Sequence, residues 1–391
     1  MASPHGILYV HNSADLYGAS RSLVRLMKTL PRDRFNPFVV LPSDGPLKPL
    51  LEAADAQVIV HPGLTVIERA LLKSWRLLLL PFRFAASVAF LRRLIRREGI
   101  TLVHTNTGVI PSPALASALA GVPHVWHIRD WFQEFRGFWP IYARYIGRFS
   151  QRIIAVSEAI AAQFADRRKV TVLHNGFDLA EFTVPKADHA RAFRERWKLG
   201  DAFLVGCVGR IKLVRKGQEV LVRAMARVCQ EVPEARCVIV GTVFPGNEEH
   251  LEELKHLVAE LKLKDRIVFT GELADPRTVY AALDVFVLPS AQPEPFGGVV
   301  MEAMAMGVPV IATAIGGSVD QVAVGETGFL VPPADPAALA ERLLELFRDR
   351  GLRLRMSAAG PRRIQEHFAL ADKVTALTRI YEGVIDAHAA R

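Results

Sequence analysis

The chain has 391 residues, half of them hydrophobic and 23% charged. That composition excludes a disordered polypeptide and suits two α/β domains of roughly 150–200 residues each. The net charge of +9 lies wholly in residues 1–190, with 23 Lys and Arg against 14 Asp and Glu, while residues 191–391 hold 26 of each. An acidic partner is therefore expected at the first half, with nucleic acid, anionic lipid and acidic glycan all open on charge alone.

The N-terminus, Met1 to Val10, lacks the basic region and long apolar stretch of a signal peptide. The first strand is expected at Ile7–His11, followed by His11-Asn-Ser-Ala-Asp-Leu-Tyr-Gly18-Ala19-Ser20-Arg21, a weak glycine loop opening a helix over Ser20–Leu30. Phe38–Leu41 and Gln57–Val60 read as further strands. From Val66 to Arg97 there are eight basic residues (Arg69, Lys73, Arg76, Arg83, Arg92, Arg93, Arg96, Arg97) and one acid, Glu68, interleaved with Leu and Phe. Its longest uncharged run, Phe84–Leu91, falls far short of the about 20 residues that span a bilayer. The stretch fits either an interfacial helix or a core-facing helix with a solvated basic face.

Strands are expected next at Thr101–Thr105, His124–Ile128, Arg152–Val156 and Val170–Leu173, with a helix over Pro113–Ala120. Val125-Trp-His127-Ile-Arg-Asp130 closes one of these strands. Trp131 to Phe149 carries eight of the chain's 32 aromatics together with Arg136, Arg144 and Arg148, a pattern that suits a sugar, a lipid headgroup or a packed core. Asp178–Gly200 is polar, without strand character, and is read as the linker. The pattern then restarts at Phe203–Val208, Arg236–Val240, Ile267–Thr270, Val285–Leu288, Val308–Thr313 and Gly328–Val331. Repeated β/α alternation predicts two doubly wound parallel sheets, facing a cleft at the carboxyl ends of their strands. Cys207, Cys229 and Cys237 have no metal-ligand spacing, and a reducing, cytoplasmic setting follows.

Two segments of the second half carry chemistry. Val208-Gly-Arg210-Ile-Lys-Leu-Val-Arg-Lys216-Gly217-Gln follows a strand and precedes a helix, a place where cations clamp a diphosphate and stabilise the charge that builds as it leaves. Lys212 and Arg215 stand nearby. Pro289-Ser-Ala-Gln-Pro-Glu294-Pro-Phe296-Gly297-Gly298-Val299-Val-Met-Glu302-Ala-Met-Ala-Met-Gly307-Val-Pro309 runs from a strand end through a proline-rich loop into a helix. A helix start binds phosphate or sugar hydroxyls, and carboxylates accept paired bonds from vicinal diols.

The two glutamates eight apart around a Phe-Gly turn resemble the E-x7-E block of glycosyltransferase family four. The resemblance implies the GT-B fold: an acceptor-side Rossmann-like domain over residues 1–185, a nucleotide-sugar-binding one over 186–370, and a C-terminal helix over 371–391 packing back on the first. It implies that Glu294 contacts donor-sugar hydroxyls, Glu302 the nucleotide ribose, and Arg210 and Lys216 the diphosphate. Phe296, Gly297, Gly298 and Val299 form the donor turn, and backbone near Gly271–Leu273 the base pocket. The family's Gly-Gly-x-Glu stands here as Gly18-Ala19-Ser20-Arg21, and its His-Asp as His127 with Asp130 three residues on. His127 is carried over as a contact near the reacting sugar, with Asp130 beside it. Ser157 and His174-Asn175-Gly176-Phe-Asp178 also match family positions and are read as mainly structural.

The implied enzyme is a retaining, metal-independent hexosyltransferase acting by front-face displacement, without cofactor or metal and with a nucleotide sugar of UDP or GDP type as co-substrate. No Asp-x-Asp triplet is present. The acceptor is a glycan or a lipid-linked glycan of cell-surface polysaccharide or glycolipid synthesis, not nucleic acid. The first domain then meets the anionic inner face of the membrane. A sugar-nucleotide epimerase on the same fold, or a non-catalytic sugar-nucleotide-binding module, is the alternative.

Overall fold

A computed structural model describes residues 3–67, 78–135 and 137–390. The chain forms two compact units, Met1–Gly176 with Leu370–Arg391, and Phe177–Ala369.

The first unit is built on seven strands: β1 His5–Val10, β2 Phe35–Leu41, β3 Gln57–Val60, β4 Ile100–Thr105, β5 His124–Ile128, β6 Arg152–Ala155 and β7 Val170–Val172. They lie in the order β3-β2-β1-β4-β5-β6-β7, every neighbouring pair parallel. Parallel strands are covered on both faces, so alternate side chains must be apolar to both sides. Ile7, Tyr9, Val39, Leu102 and Val125 face one layer, which includes Val374, Leu377, Tyr381 and Val384 of the last helix, Leu370–Ala389. Leu8, Val10, Phe38, Val40 and Val103 face the other, where Val88, Leu91, Leu94 and Ile95 of helix Leu80–Arg97 pack.

Of the basic stretch Val66–Arg97, Arg69, Lys73 and Arg76 lie outside the described residues. The rest divides in two. The later turns of helix Leu80–Arg97 are a core helix whose Arg93, Arg96 and Arg97 face solvent. The residues just before it and its first turn instead project Leu78 (79% exposed), Leu79 and Phe82 (74% exposed). The aromatic run Trp131–Phe149 is chiefly a core: Phe132 stacks on Trp139 at 4.9 Å, and Trp126 meets Tyr142 and Tyr145 edge-on. Three polar tips find carbonyls, Trp139 Nε1 on Gln163 (2.8 Å), Tyr142 Oη on Gly108 (2.6 Å) and Tyr145 Oη on Pro111 (2.7 Å), as buried Tyr and Trp require. Phe138 and Ile141 remain exposed. Among the described residues no helix is long and apolar enough to cross a membrane.

The second unit has six strands: β8 Leu204–Val208, β9 Arg236–Val240, β10 Ile267–Gly271, β11 Val285–Leu288, β12 Val310–Thr313 and β13 Gly328–Val331. Their order is β10-β9-β8-β11-β12-β13, all parallel. Its two layers are filled by Leu221, Met225, Leu339 and Leu343 on one side and by Tyr280, Val300, Met301 and Met304 on the other. Asp178–Gly200, expected as a linker, is instead part of this unit. It forms a 3-10 turn at Leu179–Phe182 and a helix at Lys186–Arg196, and buries Phe193 and Leu199 in the core. The few apolar residues of this stretch do the packing, and the charges around them masked that periodicity.

Candidate active site

Both sheets reverse direction of winding at one point, between β1 and β4 in the first unit and between β8 and β11 in the second. Loops leaving the carboxyl ends of such strand pairs diverge and leave room for a ligand. Arg210, Lys216, Glu294 and Glu302, singled out from the sequence, follow the strands at the second of these points, and Gly18 and Ala19 follow β1 at the first.

In the second unit, the loop after β8 brings Lys216 and the loop after β11 brings Glu294. Lys216 Nζ lies 2.6 Å from Glu294 Oε1, with the two side chains 27% and 14% exposed. Ser290 Oγ donates to the same oxygen at 3.1 Å. Burial alone would raise the Glu294 carboxyl; the neighbouring Lys216 ammonium and the two hydrogen bonds outweigh it and hold the group below its ordinary value.

Backbone contacts dictate this meeting. Arg215 O accepts from Ala291 N (3.1 Å) and Gln292 N (3.2 Å). Gly217 has a left-handed φ of 68°, and a Cβ there would sit 1.9 Å from Pro289 O. Gly316, also left-handed, packs where a Cβ would come within 2.3 Å of Glu294 O. Only glycine permits these approaches.

Gln218 Nε2 donates to Arg210 O at 3.0 Å, and the Arg210 guanidinium lies over Phe244, 5.0 Å from the ring centre. Helix Gly298–Ala305 begins directly after Gly297, whose carbonyl accepts from Gln321 Nε2 at 3.1 Å. Phe296 and Val299 pack partly buried against the core below. Glu302 stands in the second turn and accepts from Tyr280 Oη at 2.9 Å. Gly271 ends β10, with its carbonyl on Gly241 N at 2.9 Å, and Leu273 lies partly buried beyond it. Arg210, Lys216, Glu294 and Glu302 thus belong to the loops and helix at one switch point, while Gly271 ends and Leu273 follows the sheet's far strand. Tyr280 and Ser290 were missed. Tyr280 has no local signal, because its partner Glu302 stands in another segment, whereas the partner of Ser290 is Glu294, four residues on in the same loop.

In the first unit, Gly18 and Ala19 open helix Gly18–Thr29, and a Cβ on Gly18 would meet no protein atom within 4 Å. His127 is buried near the end of β5, its ring edge-on to His104 at 5.5 Å. Burial, the charge of Arg129 and the proximity of His104 hold it well below the ordinary histidine range, so it is neutral. Asp130, carried over beside it, has another task. Its Oδ2 accepts from Gly108 N (2.5 Å) and Thr107 Oγ1 (3.0 Å), pinning the loop after β4. Ser157 caps helix Glu158–Ala161 through Ile160 N, and Asp178 accepts from Ala180 N at 2.9 Å. Asn175, read as structural, joins a polar network with Arg129, Ser22 and, through Arg129, Asn106. Asn106 and Arg129 were legible only as polar residues after strands that border or neighbour the switch point.

Residues 17–181 match the family described as Glycosyltransferase Family 4, and residues 190–363 match Glycosyl transferases group 1. The chain is 31% identical over 244 residues to the lipopolysaccharide core biosynthesis mannosyltransferase LpcC of Rhizobium leguminosarum bv. viciae, covering 62% of this chain and 68% of that one. It is 35% identical over 266 residues to the D-inositol 3-phosphate glycosyltransferase of Streptomyces avermitilis, covering 64% and 56%. The chain thus spans about two thirds of the first relative and little more than half of the second. Among solved structures, Anabaena HepE in complex with UDP and glucose superposes with a TM-score of 0.81 at 27% identity, covering 96% of this chain and 99% of HepE.

Proposed function

The chain belongs to the GT-B glycosyltransferases of family four, and from that membership we propose that it transfers a hexose from a nucleoside-diphosphate sugar to a glycan or lipid-linked acceptor with retention of anomeric configuration. The observation that carries this reading is the Lys216–Glu294 pair at the switch point of the second sheet, with Glu302 on the helix that follows. A cation for the diphosphate and a carboxylate for sugar hydroxyls there adjoin each other, as a sugar diphosphate presents them. HepE binds UDP and glucose at 27% identity, which favours a uridine donor over a guanosine one.

In the proposed step the acceptor hydroxyl oxygen bonds to the anomeric carbon on the face from which the diphosphate leaves. The bond from that carbon to the phosphate oxygen breaks, and the departing oxygen takes the acceptor proton. Arg210, Lys216 and the helix start at Gly298 neutralise the growing charge, so the reaction proceeds without a metal. Glu294 and Glu302 hold the sugar and the ribose, Phe296–Val299 line the turn, and Gly271–Leu273 meet the base. Gly18 and Ala19 contact the donor, and His127 the reacting sugar. His127 is neutral and acts as a hydrogen-bonding group, not as a proton shuttle.

The deciding experiment is a transfer and hydrolysis screen over UDP-, GDP- and ADP-sugars, with the product anomer assigned by NMR. Turnover of a UDP- or GDP-sugar with retention supports the reading. An inverted product, or binding of sugar nucleotides without any turnover, overturns it.

Exposed Leu78, Leu79 and Phe82 beside solvent-facing Arg83, with Arg93, Arg96 and Arg97 exposed toward the other end of the same helix, favour a further element of the proposal. The first unit docks at an anionic membrane, peripheral and on the cytoplasmic side, where a lipid-linked acceptor resides. Aliphatic and aromatic side chains insert while guanidinium groups meet the headgroups.

A further inference from the structure

At the switch point of the first sheet, Arg129 is the centre of a hydrogen-bond network joining several chain segments. Its Nε donates to Asn106 Oδ1 at 3.1 Å, one terminal nitrogen donates to Asn175 Oδ1, and the other lies 3.3 Å from His127 Nδ1. Burial lowers the guanidinium to about 10, which leaves it charged at neutral pH.

The chemistry of arginine settles what its neighbours do. A guanidinium has five N–H groups and no acceptor. His127 Nδ1 must therefore accept, and the ring of this neutral histidine carries its hydrogen on Nε2. That Nε2 is buried and has no hydrogen-bond partner among the described residues.

The same logic runs through Asn106. Its carbonyl faces Arg129, so its amide nitrogen is the atom turned to His11 Nδ1, 3.2 Å away. His11 Nδ1 then accepts, and His11 Nε2–H donates to Ser20 Oγ at 3.0 Å. Ser20 Oγ in turn donates to Asp15 Oδ1 at 2.9 Å. His11 is fully buried and its burial, with Arg129 nearby, lowers it to about 4, so it too is neutral. Arg129 at one end and the Asp15 carboxylate, which only accepts, at the other thereby set one consistent direction of bonds from β5 across β4 and β1 to the helix start that holds Gly18 and Ala19.

We propose that Arg129 is a positioning residue that fixes His127 as the Nε2–H tautomer and, together with Asp15 at the other end of the network, His11 as well. It reserves the His127 Nε2–H for an oxygen of the sugar donor or acceptor and locks the Gly18–Ser20 helix start against the end of β4. The use of that hydrogen by a substrate oxygen rests on the glycosyltransferase reading. The two tautomers do not.

The test is long-range nitrogen–proton NMR of the histidine-labelled protein, wild type and Arg129→Met, Arg129→Lys and Asn106→Ala, with steady-state kinetics on each. In the wild type, His127 and His11 both show hydrogen on Nε2. In Arg129→Met, His127 loses that single tautomer and kcat falls about tenfold or more while the KM for the sugar donor changes little. Arg129→Lys, which keeps a cationic N–H donor and no acceptor, restores the His127 tautomer and part of kcat. Asn106→Ala releases His11 alone, and it keeps the proposal testable should Arg129→Met not fold. Hydrogen on Nδ1 of wild-type His127, or both tautomers unchanged in Arg129→Met, overturns the proposal. A protein with the stated tautomers but no turnover of any sugar nucleotide leaves Arg129 in place and defeats the transferase reading instead.

Discussion

Lys216 Nζ and Glu294 Oε1 meet at 2.6 Å although 78 residues separate them in the chain. They come from loops after two adjacent strands of the second sheet, and the pair is largely shielded from water. An ion pair in such a place has strength from low screening, and each member is costly if left alone.

Glu294→Gln should lose transfer at least tenfold to a hundredfold while the fold persists, since a charged hydrogen bond to a sugar hydroxyl contributes about 1.5–3 kcal/mol. Circular dichroism checks the fold and product formation the rate. Activity within about threefold of wild type would remove Glu294 from the sugar site.

The pair also links stability to pH. Glu294 is held below its ordinary value in the folded protein. Its contribution is therefore full above the unfolded carboxyl value, about 4.3, and is lost as pH falls through the lower folded value. Lys216→Ala removes the main force that lowers it and leaves burial to raise it. Urea unfolding at pH 7 and down to about pH 3.5 should show the deficit of Lys216→Ala largest near neutrality and shrinking in acid. A deficit independent of pH would contradict the linkage.

Arg210→Ala and Lys216→Ala should each lower turnover more than they weaken donor affinity, because the charge on the leaving diphosphate grows toward the transition state. Wild-type activity should survive EDTA. An effect confined to KM argues against the cation role, and activity lost in chelator and restored by manganese or magnesium would make the reaction metal-dependent.

Gly217→Ala should be among the most damaging single-methyl changes in the chain. The added Cβ would lie 1.9 Å from Pro289 O on a left-handed backbone, so the loops carrying Lys216 and Glu294 must separate. A loss of about 2 kcal/mol or more, read from denaturant unfolding, together with loss of transfer, is expected. An alanine variant as stable and active as wild type would mean that the two loops do not pack in this way.

Membrane docking should be salt-sensitive and have two parts. Wild-type protein should co-sediment with anionic vesicles at low salt and less with neutral vesicles or at high salt, as each basic residue near the surface contributes about 1 kcal/mol. Arg93, Arg96 and Arg97 changed to Ser should weaken the electrostatic part. Leu78→Ser with Phe82→Ser should weaken binding that persists at high salt. Protein left in the supernatant with anionic vesicles at low salt ends the membrane reading.

Much of this was legible in the chain itself. The strands His124–Ile128 and Val285–Leu288 stand at the positions read from their apolar runs, because a strand covered on both faces has to be apolar at successive residues. The glutamate block around Gly297 declared its helix, and its resemblance to a family, through local order alone. What tertiary structure decided was partnership. That Asp130 pins Gly108, that Asn106 reaches His11 across 95 residues, and that Arg129 gathers His127, Asn106 and Asn175 all depend on which strands lie side by side. In the first sheet β1 lies between β2 and β4, an order that no local pattern contains, since hydrophobic period reports the burial of a segment and not its neighbour. The aromatic run Trp131–Phe149 taught the same lesson. Its composition fitted a ligand or a core equally, and only the carbonyls waiting at Gly108, Pro111 and Gln163 turned it into a core.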